Sequence, residues 1–347
     1  MNAATQTCFM NSTTPIQQAY DEQGNPNYLR EGQLLEGIYI GLENNVYHEL
    51  PAISSSQIKT YITKGAAHYY RRYLSNIETT RTKNLAQERT LDTGTIIHEL
   101  ILEGTGFYDR YYRLPLEKDY PDALITQKEL VLACEKHQVE VPKSATKPVL
   151  AEALKSANAP VTIFDDVIKN IEDDPYNEDK TGLDGMVWDN AHRAYKTFEE
   201  HPTASAFISN GLAEVTFIAK CQITGLMLKC RFDWLRFDND AVDVKSTRST
   251  SINDFVRQAG SLGYHYQEAF YTYVASLLNV DLEDFIFLCV EYLEADITEI
   301  IRVRNKERAF TKTLRALKDL QARLHADDFV TGVSSGGVVE VDIPEYY

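Results

Sequence analysis

Residues 241–247 read AVDVKST, which sets Asp243 and Lys245 two positions apart at the end of an apolar run. Side chains at i and i+2 share one face of a strand, so these two point the same way and Val244 points opposite. Earlier in the chain, Asp233 falls in CRFD and is expected to close the preceding strand. If 226–233 and 241–246 pair through the short turn RFDNDA, two carboxylates and one ammonium converge at one sheet end. Clustered carboxylate oxygens suit a hard divalent cation, and Mg²⁺ takes one or two of them and completes its shell with water and phosphate oxygens. A lysine beside them can orient or deprotonate an attacking water, or offset charge on a phosphate. Taken alone, DVK reads better as an ordinary cross-strand ion pair, and its company is what turns it toward chemistry.

The elements that must position these groups are legible as a change of period. AEVTFIA, LMLKCRFDWL and DAVDVKST alternate as three strands joined at KCQITG and RFDNDA. Residues 252–278 follow as one long helix, then the strands DFIFLCVEY and ITEIIRVR and a closing helix over 306–325. Before them, SSSQIKTYITKGAAHYYRRYL carries apolar residues at helical spacing behind a serine run suited to an N-cap. DTGTIIHELILEG predicts a second helix with Ile96, Ile97, Leu100 and Ile101 as its buried stripe, and 186–208 predicts another. The pattern is α/β (α+β), a mixed central sheet flanked by helices.

Four segments are expected: a polar N-terminal extension over 1–44, loosely attached through about residue 35; a helical part over 45–125; a small helical insert over 126–157; and an acidic stretch plus sheet core over 158–347. The insert, TQKELVLACEKHQVEVPKSATKPVLAEALKSA, reads helix, extended link, helix. It resembles the small modules related to SAP domains, some of which bind DNA, but its five lysines stand against four glutamates, so packing or protein contact is the stronger reading. The acidic segment 165–189 reads equally as a disordered loop or as a cover for the site.

At 347 residues and 44% apolar content the chain can bury a full core. No apolar run is long enough to span a membrane, and MNAATQTCFMNSTTP lacks the basic region and apolar core of a secretory signal, so a cytoplasmic protein is expected. Cys8, Cys134, Cys221, Cys230 and Cys289 are scattered without a CxxC pair, which speaks for small buried thiols and against disulfides, zinc or an iron–sulfur cluster. The formal charge of -16 opposes a nucleic-acid partner. Its distribution does not: between Ser54 and Lys83 six basic residues (Lys59, Lys64, Arg71, Arg72, Arg81, Lys83) face one acid, Glu78, whereas 158–210 holds eleven acids and four bases. A local binding face on an otherwise repelling body follows.

Read in order, GTIIH (Gly94–His98), CRFD, DVKST and YHYQEAFYTY, with Gln267 and Tyr271 in a QxxxY form, resemble the RecB-like branch of the PD-(D/E)XK nucleases. YHELPAISSSQIKTYI and GAAHYYRRYL further resemble the RecE (exonuclease VIII) family. The likeness spans roughly 45–112 and 186–310. It implies a restriction-endonuclease-like core in which His98, Asp233, Asp243 and the carbonyl of Val244 bind metal, Lys245 is catalytic, and Gln267 and Tyr271 steady the site and the DNA end. Glu214 stands where related nucleases often carry an acid. Ser54, Ser56, Arg71, Arg72 and Arg248 are the candidate DNA contacts. The blander readings are a satisfied core histidine for His98, a surface pair for Gln267 and Tyr271, and solvated charges for the arginines.

The resemblance further implies two Mg²⁺ ions, replaceable by Mn²⁺, and digestion of linear double-stranded DNA from the 5′ end, leaving 3′ overhangs for recombination by a RecT-like single-strand annealing partner. It implies a homo-oligomeric ring around the DNA and no membrane. The competing functions are a Cas4-like or RecB-type nuclease of other polarity and a catalytically degenerate DNA-binding protein.

Overall fold

The computed structural model describes residues 8–77, 85–247, 249–293, 295–304 and 306–329. The chain divides into two compact units, one made of 1–82 with 197–347 and the other of 83–196.

The first unit is built on a sheet of β1 (Ile16–Gln18), β2 (Gly37–Ile40), β3 (Ile53–Ser54), β4 (Gly211–Lys220), β5 (Met227–Arg236), β6 (Asp240–Thr247), β7 (Asp284–Glu291) and β8 (Ile297–Arg302). The order is β1-β2-β4-β5-β6-β7-β8, with the short β3 added to β5. β6 runs parallel to β7, while β4, β5 and β6 are joined antiparallel. The described helices of this unit include α1 (Asn44–Glu49), α2 (Ser55–Lys64), α3 (Ala66–Tyr73), α4 (Ile252–Leu262), α5 (Tyr264–Leu277) and α6 (Glu307–Ala326).

Period-2 patterning explains the middle of the sheet. Val215, Phe217 and Ala219 of β4 and Leu228, Cys230 and Phe232 of β5 all enter one core cluster with Phe270, Tyr271 and Val274 of α5. β7 instead reads FIFLCV without alternation, and each of those residues is buried, as expected of a parallel strand covered on both faces. The mixed α/β architecture with a central sheet flanked by helices is as the sequence predicts.

Four details differ from the expectation. The polar N-terminal stretch is built in where it is described: Phe9 is buried in the main core, and β1 pairs with β2, which pairs with β4. Its polarity misleads because an edge strand needs few apolar side chains. The single helix expected over 252–278 is two, because Gly263 takes φ 68 and caps one while starting the other. β5 does not end at Asp233 but runs on to Arg236. The helix expected over 186–208 is Gly185–Glu200, followed by the separate turn Ala204–Phe207.

The second unit opens with a helix over Leu85–Glu103 and contains the two-stranded parallel pair Tyr111–Arg113 and Thr181–Leu183. Helices Gln127–Lys136 and Lys147–Ser156 pack Leu130, Cys134, Leu150 and Leu154 with Ile163 into a core of their own. The acidic segment is ordered, with a helix over Phe164–Glu172. Its Asp165 and Asp166 pair with Lys147 and Lys155 at 2.8 and 3.0 Å, so two of the insert's lysines are engaged inside the unit. No described helix is long and apolar enough to cross a membrane.

Candidate active site

The alternation of β4 and β5 reverses at two carboxylates. Leu212 pairs with Leu235, and Val215 pairs with Phe232. All four lie in or against the same core, although residues three apart on a regular strand face opposite sides. Glu214, between them, has φ 53, a left-handed conformation that costs a non-glycine residue of order 1–3 kcal/mol. It stands across from Asp233, and one carboxylate oxygen of each lies within 4.8 Å of the other's. The ladder passes over this pair and resumes on both sides.

β6 enters beside Asp233, whose Oδ2 accepts the Val244 N–H at 2.8 Å. In an extended strand the N–H and C=O of one residue project to the same side, so the Val244 carbonyl faces this edge too. Asp243 and Lys245 lie on the core face of β6, in register with Phe287 and Cys289 of β7. Asp243 is 2% exposed, forms an ion pair with Lys245 and accepts from Gln267 Nε2 at 2.6 Å. The Lys245 ammonium also lies over the Tyr264 ring, 5.1 Å from its centroid. Burial works against the Lys245 charge, but the neighbouring Asp243 and Asp233 carboxylates outweigh it and raise its pKa above the ordinary lysine value. Tyr271, one turn beyond Gln267, packs edge-on against Phe232 at 5.1 Å; burial, with Tyr47, Cys230 and both aspartates nearby, pushes its phenol well up.

Three further groups, of which the sequence singled out only Lys59 and that only as part of the basic stretch, stand beside these. Lys59 of α2 runs its carbon stem against Gly263, where a Cβ would meet Lys59 Cδ at 3.3 Å, one residue from the Tyr264 ring that covers Lys245. Burial first, then the like charge of Lys245, lower the Lys59 pKa to about 8, with Asp243 opposing. Lys229 and Arg231 precede Asp233 on β5. Lys229 Nζ donates to the carbonyls of Tyr47, His48 and Leu50 at 2.7, 3.0 and 2.8 Å, closing the C-terminus of α1. Arg231 donates to Thr216 Oγ1 and the Leu42 carbonyl, lies 4.3 Å over the Tyr47 ring and reaches Glu214 at 3.5 Å. The alternation of LKCRFD would have placed both on the face opposite Cys230 and Phe232.

Ser54 is the N-cap of α2, its N–H held by Gln57 Oε1 at 3.2 Å and its hydroxyl 2.9 Å from that of Ser56. Arg71 and Arg72 are exposed on α3 and form no ion pair among the described residues; Arg72 rests 5.4 Å from the Tyr73 ring centroid. His98 is half-buried on the helix Leu85–Glu103 of the second unit, after the fully buried Ile97. Arg248, and Glu78, Arg81 and Lys83 of the basic stretch, lie outside the described residues.

The first unit therefore gathers the carboxylates of Glu214, Asp233 and Asp243 and the Val244 carbonyl beside an ammonium. These are hard oxygen donors, the set that Mg²⁺ or Mn²⁺ takes and that zinc or copper does not favour. Cys134, Cys221, Cys230 and Cys289 are buried apolar fillers.

Residues 54–327 match a family model described as a PDDEXK-like domain of unknown function (DUF3799). Among solved structures, the chain is similar to a proposed exonuclease from Eubacterium rectale, with 14% identity, 88% of this chain and 97% of that one covered, and a TM-score of 0.48. It is also similar to the protein designated SSO0001, with 14% identity, 58% and 89% covered and a TM-score of 0.25. No curated protein matches the sequence.

Proposed function

Because the chain belongs to the family of PDDEXK-like domains matched over residues 54–327, and so to the PD-(D/E)XK superfamily, we propose that it is a divalent-cation-dependent nuclease that hydrolyses DNA phosphodiester bonds. The observation that carries this reading is the gathering of Glu214, Asp233, Asp243 and the Val244 carbonyl beside Lys245, at the point where the strand alternation reverses.

Glu214, Asp233, Asp243 and the Val244 carbonyl would hold Mg²⁺, or Mn²⁺ in its place; the family resemblance adds His98. A cation there would acidify water and offset phosphate charge. Lys245 Nζ, held by Asp243, orients the attacking water and offers a proton to a phosphate oxygen. Gln267 fixes Asp243 in turn, so the ammonium arrives pre-aimed. Lys59 supplies a second cation to the phosphate. Tyr271 shields the buried side of the site from water.

The resemblance to the RecE family supports a finer reading: digestion of linear duplex from the 5′ end, a ring-shaped homo-oligomer, and delivery of the 3′ strand to an annealing protein. Ser54, Ser56, Arg71, Arg72 and Arg248 are the residues we assign to duplex contact, with their electrostatic share weakening as salt rises.

The test uses duplexes labelled at either end, incubated with Mg²⁺ or with EDTA. Release of label is expected from the 5′ end with Mg²⁺ alone, and from neither end with Asp243→Asn or Lys245→Ala. Full activity in Asp243→Asn would overturn the nuclease reading. Loss from the 3′ end would overturn only the polarity.

A further inference from the structure

A cavity of about 490 Å³ lies between α4, the start of α5, the residues after β8 and the first turns of α6. Its wall is apolar: Phe255, Val256, Ala259, Val303 and Ala309, with Gly260. Its rim is basic, with Arg304, Arg308 and Lys312. Both features run past the cavity. Val256 and Ile252, four residues apart on one face of α4, are 62% and 65% exposed. From Arg302 to Lys318 the chain carries seven basic residues (302, 304, 306, 308, 312, 315, 318) and one acid, Glu307, within a protein of net charge -16.

The cations of this stretch have divided roles. Arg302 pairs with Asp284 and Lys306 with Glu268, which holds the ends of β7, β8 and α5 together. Arg304, Arg308 and Lys312 are exposed and form no ion pair among the described residues; Lys312 reaches the Tyr266 hydroxyl at 3.3 Å and lies 6.0 Å from that ring's centroid. A chain so acidic overall that leaves three cations without a carboxylate partner among the described residues, around an apolar hollow, presents a surface complementary to a negatively charged, partly apolar ligand.

Two ligand classes fit a basic rim, and the wall decides between them. A single strand of nucleic acid needs ring faces on which bases can stack. Of the rings here, Phe255 and Tyr266 are 4% and 7% exposed, and the half-buried His265 ring already packs against Tyr266 with centroids 4.0 Å apart, so no stacking platform is laid open. What is offered is an aliphatic hollow, larger than a phosphate requires and within the usual range of small ligand pockets. We propose that this cavity docks an acidic peptide segment of a partner protein, seating a large apolar side chain between α4 and α6 and its carboxylates on Arg304, Arg308 and Lys312. Amphipathic grooves capture peptides in this way, the apolar anchor giving affinity and the charged rim giving orientation.

The inference stands apart from the nuclease reading, because its test needs neither a cation nor cleavage. A fluorescein-labelled peptide alternating glutamate with phenylalanine and leucine is titrated with the full chain in EDTA and followed by anisotropy. A counterpart with glutamine for glutamate and an oligothymidylate of equal length serve as comparisons. The acidic peptide is expected to bind, and both Arg304→Glu/Arg308→Glu and, separately, Val256→Glu to weaken it about tenfold, with circular dichroism unchanged. Equal binding of the glutamine peptide, an oligothymidylate that displaces the acidic peptide and is itself lost in Arg304→Glu/Arg308→Glu, no binding at all, or unaltered affinity in both variants would each overturn the proposal.

Discussion

The two ends of β5 carry buried charge and treat it in opposite ways. At Lys229 the strand is regular, and the residue is 3% exposed with its ammonium meeting three fixed carbonyls. Arg231 likewise donates to Thr216 and Leu42, and reaches Glu214 only at 3.5 Å. Four residues past Lys229, at Asp233, the alternation reverses, Glu214 takes a left-handed backbone and carboxylates of neighbouring strands converge within 4.8 Å. The first arrangement is complete as folded. The second concentrates like charge at a strained position, an expense that folding does not require and that a bound cation would repay. Charge alone thus does not mark a functional site; charge placed where the backbone departs from regularity does.

The largest effect that could break this contrast is on turnover. Asp243→Asn keeps the shape of the side chain and a partner for Gln267, yet should lower kcat about 10³-fold, as should Lys245→Ala, with far-ultraviolet circular dichroism retained. Lys229→Met should do the reverse. Three buried carbonyls lose their donor at once, so urea denaturation should show a loss of about 3 kcal/mol, while turnover per folded molecule stays within about twofold of the parent. A Lys229→Met protein that is stable but inactive would erase the distinction between the two ends.

A smaller effect sharpens it. A ligand that binds only the folded state stabilises by mass action, about 1.4 kcal/mol at ten times its dissociation constant, or a few degrees in melting temperature for a chain of this size. Mg²⁺ should therefore raise the melting temperature of the parent and of Lys229→Met. It should leave Asp233→Asn combined with Glu214→Gln unmoved. An equal rise in that double variant would place the cation elsewhere.

How much of this the sequence discloses depends on range. Asp243 and Lys245 share a face by strand geometry alone, and the VTFIA and LKCRF alternations set β4 and β5 in place, because both are local. The reversal at Glu214 is not local: it exists only when β4 and β5 are paired and their core residues compared, and a glutamate in a strand carries no sign of a left-handed φ. Gly263 is a weak signal inside an otherwise helical pattern, and the consequence of its φ 68, room for the stem of Lys59, joins segments some two hundred positions apart. The N-terminal strands were hidden by polarity, since β1 sits at a sheet edge and β2 is short. Lys229 was overlooked for the converse reason: a lysine in a strand is ordinarily solvated, and nothing near it in sequence announces the end of α1.

The smallest expected effect concerns that same Lys59, and it separates binding from chemistry. Burial and Lys245 lower its pKa to about 8, so its ammonium is mostly present at pH 7 and is lost as the pH rises through 8. DNA phosphates do not titrate there, so any change in KM across this interval belongs to the protein. If Lys59 grips the phosphate, KM for duplex should climb between about pH 7 and 9 by up to roughly tenfold, the scale of one charge-assisted contact, with kcat steadier. Lys59→Arg, whose guanidinium stays charged, should flatten the rise, and Lys59→Gln should show the high KM already at pH 7. Lys229 shares the same lowered value of about 8, from burial and then Arg231, but its ammonium is held by three carbonyls and the Tyr47 ring. A rise that persists in Lys229→Met and vanishes in Lys59→Arg therefore assigns the titration to the active-site end of the unit, and a rise that survives Lys59→Arg removes Lys59 from the phosphate.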